Sequence, residues 1–264
     1  SFLVPINSNN VKQLYGPTVF DATHFFTYSL TYALPGIKSP AQLLSGWSIN
    51  SIVTLQSGQP WGVNDFSTDF SGTNEINNPN TNGEQWDFFG NPGAFKTTKA
   101  FINTNTGSGG IPYFSGTNNA TCAARAAAIG PLATASLTNL GCYAVGNSVL
   151  IPPAYGSYGT MGINPFRGPA FYNWDLSITK EIKFNERLTA QFRAEFFNIL
   201  NHPNISNPFG GPGGDNTYTD PTAAAGNPGG SFGFRPQTPD VTSSNPVLGS
   251  GGPRAMQLGL RLIF

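Results

Sequence analysis

The last nine residues of the chain alternate strictly between two kinds of side chain. Large apolar residues occupy every second position, namely Met256, Leu258, Leu260, Leu262 and Phe264. The positions between them hold Gln257, Gly259, Arg261 and Ile263, of which only the isoleucine is apolar. Side chains alternate across a β-strand, so one face of this segment is apolar and the other is mainly polar. A tilted strand needs about 9–11 residues to cross a bilayer. The segment therefore predicts either a membrane-spanning strand or a half-buried strand of a soluble β-sandwich.

The same period of two recurs in four earlier segments, near residues 24–34, 47–57, 173–184 and 186–197. The last two are separated only by a tight turn at Asn185 and Glu186, which predicts a β-hairpin. Lys180 is a charged exception on an apolar face, and at mid-membrane it would cost about 2–4 kcal/mol. Together with residues 256–264, the pattern predicts an all-β chain of about five antiparallel strands.

The connections between these strands alternate between short and long. Residues 35–46 and 185–186 are short turns, whereas 58–172 and 201–254 are long segments without a sustained period. Within the first long segment, only the alanine-rich stretch 123–128 predicts a short helix. Outer-membrane barrels have tight periplasmic turns and long extracellular loops. The order therefore favours an antiparallel transmembrane β-barrel, with Phe264 on the periplasmic side.

Aromatic side chains are sorted by the ends of the predicted strands. Near the periplasmic interface we place Tyr32, Trp47, Phe184 and Phe264. Near the outer interface we place Phe26, Trp61, Trp174, Phe196 and Phe197. Two aromatic belts are expected of a membrane barrel in contact with the lipid bilayer. A soluble sandwich gives no reason for this sorting, so the belts favour the barrel.

Composition and strand number set further limits. The 264 residues include 32 Gly and 22 Pro, and only 10% are charged, which favours strands joined by turn-rich loops over a helical bundle. Lys and Arg balance Asp and Glu at 13 each, so nothing favours a nucleic-acid partner. Five strands are too few to close a barrel, for which eight is the smallest known number in bacterial proteins. We therefore expect residues 1–264 to be the C-terminal part of one larger barrel domain.

Several motifs together resemble a known family. They are Phe20-Asp21 through His24, Leu55 to Pro60, Arg167 to Phe171, Asn173 to Ser177, and Gln191 to Asn198 with Asn201-His202-Pro203. In this order they are similar to the C-terminal barrel region of TonB-dependent receptors, and most of all to the Oar-like group, which often carries an N-terminal carboxypeptidase-regulatory-like domain. The chain departs from the family at Ala22, Thr23 and Phe25, where arginines are common, and its large loop has a sequence of its own.

The resemblance implies a location in the bacterial outer membrane and a barrel of about 22 strands around a plug. It also implies transport of a substrate, powered through a TonB-type energy-coupling protein that would contact a segment upstream of Ser1. The end of the chain resembles the signal read by the barrel assembly machinery. Its residues in this sequence are Gln257, Gly259, Leu262 and Phe264.

Catalytic and cofactor chemistry find little support in the sequence. The only two histidines are His24 and His202, and no Gly-x-Ser-x-Gly elbow is present. We expect no enzymatic activity, no cofactor and no metal centre, and we interpret Asp21 with His24 as a hydrogen-bonded pair at a strand mouth. Cys122 and Cys142 predict either a loop disulfide or two free thiols.

Charged residues on the non-lipid face should project into the lumen of the barrel, namely Asp175, Glu181, Lys183, Arg187, Arg193, Glu195 and Arg261. There they can pair across strands, contact a plug or line a substrate path. The leading hypothesis is a TonB-dependent receptor-like transporter whose long loops capture the substrate. The alternative is a surface adhesin or structural β-protein that binds glycans or partners through those loops, and a passive porin is a third hypothesis.

Overall fold

The computed structural model describes residues 7, 9–65, 69–75, 83–95, 111–205, 218–219 and 252–264. They form two compact units, each assembled from several stretches of the chain. The sheet unit comprises the described residues within 23–57, 170–204 and 237–264. The disulfide unit, named for the cystine inside it, comprises the described residues within 1–22, 58–169 and 205–236.

Strands and helices are numbered in chain order. The first part of the chain forms β1 (Phe25–Ala33), β2 (Trp47–Gln56), β3 (Pro60–Asp65), β4 (Glu84–Gln85), β5 (Asp87–Phe89) and β6 (Tyr113–Phe114). Two helices follow, α1 (Ala120–Ile129) and α2 (Pro131–Leu140). The remaining strands are β7 (Cys142–Val145), β8 (Ser148–Ile151), β9 (Phe166–Arg167), β10 (Phe171–Lys183), β11 (Thr189–Phe197), β12 (Tyr218–Thr219) and β13 (Ala255–Ile263). Short 3-10 turns lie at Val11–Leu14, Pro40–Gln42 and Pro92–Ala94.

The sheet unit is a single sheet in the order β1-β2-β10-β11-β13, with every neighbouring pair antiparallel. The limits of the predicted segments agree with those of the strands to within two residues, except at one strand end. The start of β11 is the exception. The hairpin turn is longer than the predicted pair of residues, because the Asn185 side chain accepts hydrogen bonds from the backbone N–H groups of Arg187 and Leu188. The strand therefore begins at Thr189 and not near residue 186.

The disulfide unit corrects the prediction for residues 58–172. A segment without sustained periodicity was expected to be a loop, but it forms small sheets and a helical pair. One sheet has the order β5-β8-β7-β6, and the other joins β12, β3, β4 and β9. Helix α1 extends beyond the alanine-rich stretch in both directions, and α2 follows it directly. The Asn119 side chain caps α1 by accepting from the Cys122 N–H, and Pro131 begins α2, where a missing N–H costs nothing.

The fully buried apolar side chains of the described residues all lie in the disulfide unit. They form two clusters, one around Trp61, Trp86 and Phe166 and one around the cystine and the two helices. None of the described helices is both long and apolar enough to cross a membrane.

Candidate membrane-spanning surface and loop-derived unit

One face of the sheet is apolar across all five strands. The register places side chains of neighbouring strands directly opposite one another, for example Phe26 with Leu55, Ile49 with Ile178, and Phe192 with Leu260. Many large members of this face are exposed, including Tyr28, Leu30, Tyr32, Met256, Leu258, Leu260 and Leu262. A continuous exposed apolar surface of this kind marks contact with a membrane or a partner. Its strands contain 9–13 residues, long enough to cross a bilayer.

Ser51 is one of two polar residues on this apolar face. Its hydroxyl oxygen accepts a hydrogen bond of 2.9 Å from the indole nitrogen of Trp174 on the neighbouring strand. Both polar groups are therefore satisfied where water would not reach them. This contact explains why Ser51 lies on the apolar face, while Ile52 projects from the other one.

Lys180 is the other polar residue on the apolar face, and the turn between β1 and β2 supplies the partners of its ammonium group. Its ammonium donates hydrogen bonds to the backbone carbonyls of Gln42 and Ser45 and lies 5.1 Å from the centroid of the Trp47 ring. Lys180 is paired with Trp47, the first residue of β2, so it lies at the turn end of the sheet and away from the middle of the strands. Cation–π and carbonyl contacts compensate its charge there.

The aromatic residues of the predicted belts lie near the two ends of the strands, with one exception. Tyr32, Trp47, Phe184 and Phe264 lie at the end of the tight turns, and Phe26, Trp174 and Phe196 lie toward the opposite end. The prediction for Trp61 is wrong. Trp61 is fully buried in the disulfide unit, where its ring centroid lies 4.8 Å from that of Phe166, so it cannot face lipid.

The opposite face of the sheet is polar and internally paired. Thr31 donates to Asn50 at 2.8 Å, and Gln191 donates to Glu181 at 2.9 Å, each across neighbouring strands. Arg193 forms an ion pair of 3.2 Å with Glu195 along the same strand. Asp175, Lys183 and Arg261 also belong to strand positions of this face. The sheet thus separates an apolar surface from a charged, hydrogen-bonded one, as a barrel wall does.

The residues of the predicted assembly signal divide between the two faces of β13. Gln257 and Gly259 pair with Glu195 and Arg193 on the polar face, whereas Leu262 pairs with Ala190 on the apolar face. Phe264 follows the strand and is 97% exposed. The described residues include no backbone pairing between β13 and β1, so each has one strand neighbour.

Three asparagines after β11 form hydrogen bonds with backbone groups at the end of the sheet that lies opposite the tight turns. The sequence analysis did not predict this role. The Asn204 side chain pairs with both the N–H and the C=O of Tyr172, in the manner of an additional strand residue. Asn198, at a φ of 49°, donates to the carbonyls of His202 and Gly252, and the Asn201 side chain accepts from Arg254 N–H. The spacing of three between these asparagines was the available signal.

The disulfide unit joins segments that are far apart in sequence. The Gln13 side chain donates to the carbonyl of Gly159, and Asn164 donates to the carbonyl of Pro17 at 3.1 Å. At Gly16 a Cβ atom would lie 2.0 Å from the Ile163 oxygen, so only glycine permits this approach. Residues 218–219 add a short parallel pairing to β3. Three segments that are far apart in the sequence, two of them from the predicted loops, therefore fold together.

Arg167 binds the segment that precedes β1 through contacts with Asp21. Its guanidinium pairs with the Asp21 carboxylate, and it also donates to the backbone carbonyls of Asp21 and Gly58. The interpretation of Asp21 with His24 is therefore wrong, because Asp21 takes the arginine as its partner. The His24 backbone N–H instead donates to the Ser57 hydroxyl at 3.1 Å.

Cys122 and Cys142 form a disulfide that links α1 to β7. Both residues are fully buried and pack with Ala126, Ala133 and Leu137 of the helical pair. A bond of this kind requires an oxidising compartment. It ties the helices to the sheet beneath them, since β7 pairs with both β6 and β8.

Buried acids are an unusual feature of the disulfide unit. Burial raises the pKa of Glu84 to about 8 and that of Glu75 to about 7, with smaller contributions from neighbouring carboxylates. Burial also raises the pKa of Asp87, although hydrogen bonds from the Thr160 N–H and hydroxyl oppose that shift. Glutamates are seldom fully buried without compensation, so this cluster needs a physical explanation.

The sheet and its two unlike faces define a class: proteins that cross a membrane with antiparallel strands. The chain belongs to the outer membrane beta barrel domain family, whose family model matches residues 2–235. It is therefore a β-barrel protein of the bacterial outer membrane. No curated protein and no solved structure matches the chain significantly.

Proposed function

We propose that the chain belongs to a TonB-dependent receptor-like transporter of the Oar-like type, which moves a substrate across the outer membrane. Its disulfide unit forms the external surface that captures the substrate. The sheet unit contributes staves of the barrel, in contact with the lipid bilayer and inserted by the barrel assembly machinery. Energy comes from a periplasmic TonB-type coupling protein.

The observation that carries this proposal is the folded state of the segments outside the five-stranded sheet. Residues 9–22, 58–65 and 111–169 share one unit with its own apolar core, a disulfide and three long-range side-chain contacts. An ordered surface built from several loops can present a fixed arrangement of groups to a ligand, which preorganises binding. A passive pore has less need of such a surface, whereas a receptor depends on it.

The polar face of the sheet supports the same proposal. On this face Arg193 forms an ion pair with Glu195, and Gln191 donates a hydrogen bond to Glu181. A polar wall of this kind can face water or a plug. The motif resemblance supplies the TonB-dependent class, which the wall geometry alone does not distinguish from other barrels.

Depletion of compounds from the growth medium tests the transport proposal without knowledge of the substrate. Wild-type cells are compared with a strain lacking the full-length protein and with a strain lacking the TonB-type coupling protein. We expect at least one compound to be depleted by wild-type cells and retained by both deletion strains.

Two results would contradict this expectation in different ways. A compound retained only by the strain without the barrel would indicate passive diffusion through a porin. If neither deletion changed the medium, while loss of the protein reduced attachment to glycans or to other cells, the adhesin would be the better function.

A further inference from the structure

The turn at residues 69–75 carries oxygen-bearing side chains at every second position. These are Asp69, Ser71, Thr73 and Glu75. The Ser71 and Thr73 hydroxyl oxygens lie 2.8 Å apart, and the Thr73 hydroxyl donates to Glu75 Oε2 at 3.0 Å. Gly72 has a φ of 74°, a left-handed conformation that lets the turn fold back on itself. The hydroxyl and carboxylate oxygens of the turn therefore lie close together.

Glu84 reaches the same turn from a different element, β4. Its Oε1 accepts a hydrogen bond of 3.0 Å from the Ser71 backbone N–H, so its carboxylate is directed at the turn. Glu84 has no exposed surface, and its Oε2 has no hydrogen-bond donor. A buried carboxylate oxygen without a donor is costly, and a bound cation would remove that cost.

The negative charge around Glu84 also favours a bound cation. Asp65, also fully buried, lies directly opposite Glu84 in the pairing of β3 with β4, and Glu75 is 2% exposed. Each carboxylate thus increases the cost of ionising the others, and a cation among them would reverse that effect.

We propose that Glu84 and Glu75, with the hydroxyls of Ser71 and Thr73, bind one calcium ion at the turn 69–75. All four ligands supply hard oxygen atoms, which calcium prefers, whereas structural zinc sites use Cys and His. No group of three His, Cys, Asp or Glu side chains among the described residues could hold a metal. The proposed site therefore depends on its two hydroxyl ligands as well as on its two carboxylates. Calcium tolerates a variable coordination geometry, whereas magnesium demands a nearly ideal octahedron.

Calcium titration of the full-length protein in detergent, after removal of divalent ions with EDTA, tests the site. Calorimetry measures binding, and intrinsic fluorescence measures thermal unfolding, since two of the four tryptophans, Trp61 and Trp86, lie in the core of the disulfide unit. We expect one calcium ion per chain, with a dissociation constant on the order of 10⁻⁴–10⁻³ M, typical of extracellular modules. The Tm of the disulfide unit should rise with calcium concentration, and equimolar magnesium should have a much smaller effect.

Glu84→Gln should weaken calcium binding by about tenfold or more and abolish the rise in Tm, because a charged ligand is lost. Asp87→Asn is the matched control. It changes another buried acid of the same region to its amide, and the amide oxygen can still accept from Thr160. This variant should keep the calcium response of the wild type.

Thr73→Val provides a second variant of similar size if Glu84→Gln does not fold. It removes one hydroxyl ligand and should weaken calcium binding without moving the tryptophan emission. The proposal is overturned if the wild type binds no calcium up to 10 times the concentration expected to half-saturate the site. It is also overturned if folded Glu84→Gln or Thr73→Val binds calcium as the wild type does, or if Asp87→Asn loses binding equally.

Discussion

The indole nitrogen of Trp174 and the hydroxyl oxygen of Ser51 form a 2.9 Å hydrogen bond on the apolar face of the sheet. Ser51→Ala leaves the indole N–H without this partner, and we expect a loss of about 1–2 kcal/mol in the free energy of unfolding. Urea titration of the purified barrel in detergent measures the loss. Ser48→Ala, at a polar-face position of the same strand, is the control and should change stability little. An equal loss in the two variants would show that the pair contributes nothing specific.

Lys180 should stabilise the turn between β1 and β2. Lys180→Met removes the donor to two backbone carbonyls, those of Gln42 and Ser45, and the cation above Trp47. We expect the urea midpoint to fall by the equivalent of about 1–3 kcal/mol, although the variant is more apolar. Lys183→Met, on the polar face, serves as control. If the Lys180→Met barrel is more stable than the wild type, the charge of Lys180 destabilises the sheet.

The cystine should stabilise the disulfide unit without being required by the strands. Cys122 and Cys142 are separated by 20 positions, and opening a loop of this size costs about 3 kcal/mol in the chain-entropy description. In the double variant with alanine at both positions, the unfolding transition of Trp61 and Trp86 should move to lower temperature. Heat-modifiable migration on gels, which reports the barrel strands, should remain. Simultaneous loss of both signals would contradict the separation into two units.

The buried glutamates should make the disulfide unit sensitive to pH. Folding raises the pKa of Glu84 to about 8 and of Glu75 to about 7, so the folded unit holds more protons than the unfolded chain between about pH 4.5 and 8. Stability should therefore fall as pH rises through that window, by an amount on the order of a few kcal/mol. Thermal unfolding in EDTA measures this. Glu84→Gln should weaken the dependence of stability on pH. If the slope of stability against pH is unchanged in that variant, other groups cause the dependence.

Phe264 should contribute to membrane assembly. Deleting Phe264 from the full-length protein is expected to reduce the amount inserted in the outer membrane, because Phe264 ends the segment that resembles the assembly signal. Cell fractionation and surface labelling measure insertion. Phe264→Tyr, which keeps an aromatic ring at this position, should insert normally. Wild-type levels of the variant without Phe264 would exclude this role for the residue.

Five strands could be predicted because each has one face that is apolar over at least nine residues, with a single polar exception in β2 and in β10. In β1 and β13 the alternation alone gives the observed limits to within one residue. The strands of the disulfide unit contain two to six residues, too few to show a sustained alternation. Helix α2 also lacked a signal, since serine, threonine and asparagine interrupt its apolar residues. These elements depend on contacts with distant segments, which local periodicity does not report.

Site residues whose place follows from their position along a strand could be predicted, whereas those whose place depends on distant contacts could not. The position of Phe26 and Tyr32 near opposite strand ends follows from counting along a strand. The burial of Trp61 does not, because it depends on Phe166, about a hundred residues later. The environment of Glu84 likewise depends on the fold of the turn at 69–75. Features set by tertiary contacts were accessible only from the structure.

The joining of separate segments in the disulfide unit has a consequence for the order of biogenesis. The cystine closes a short stretch of 20 positions, whereas the Gln13 contact to Gly159 spans 146. Short loops close faster than long ones, so the helical pair can form before the first segment attaches. That attachment requires both ends of the contact to have reached the same side of the membrane. Completion of the unit is therefore the later of the two steps, because it brings residues that precede β1 together with residues that follow β2.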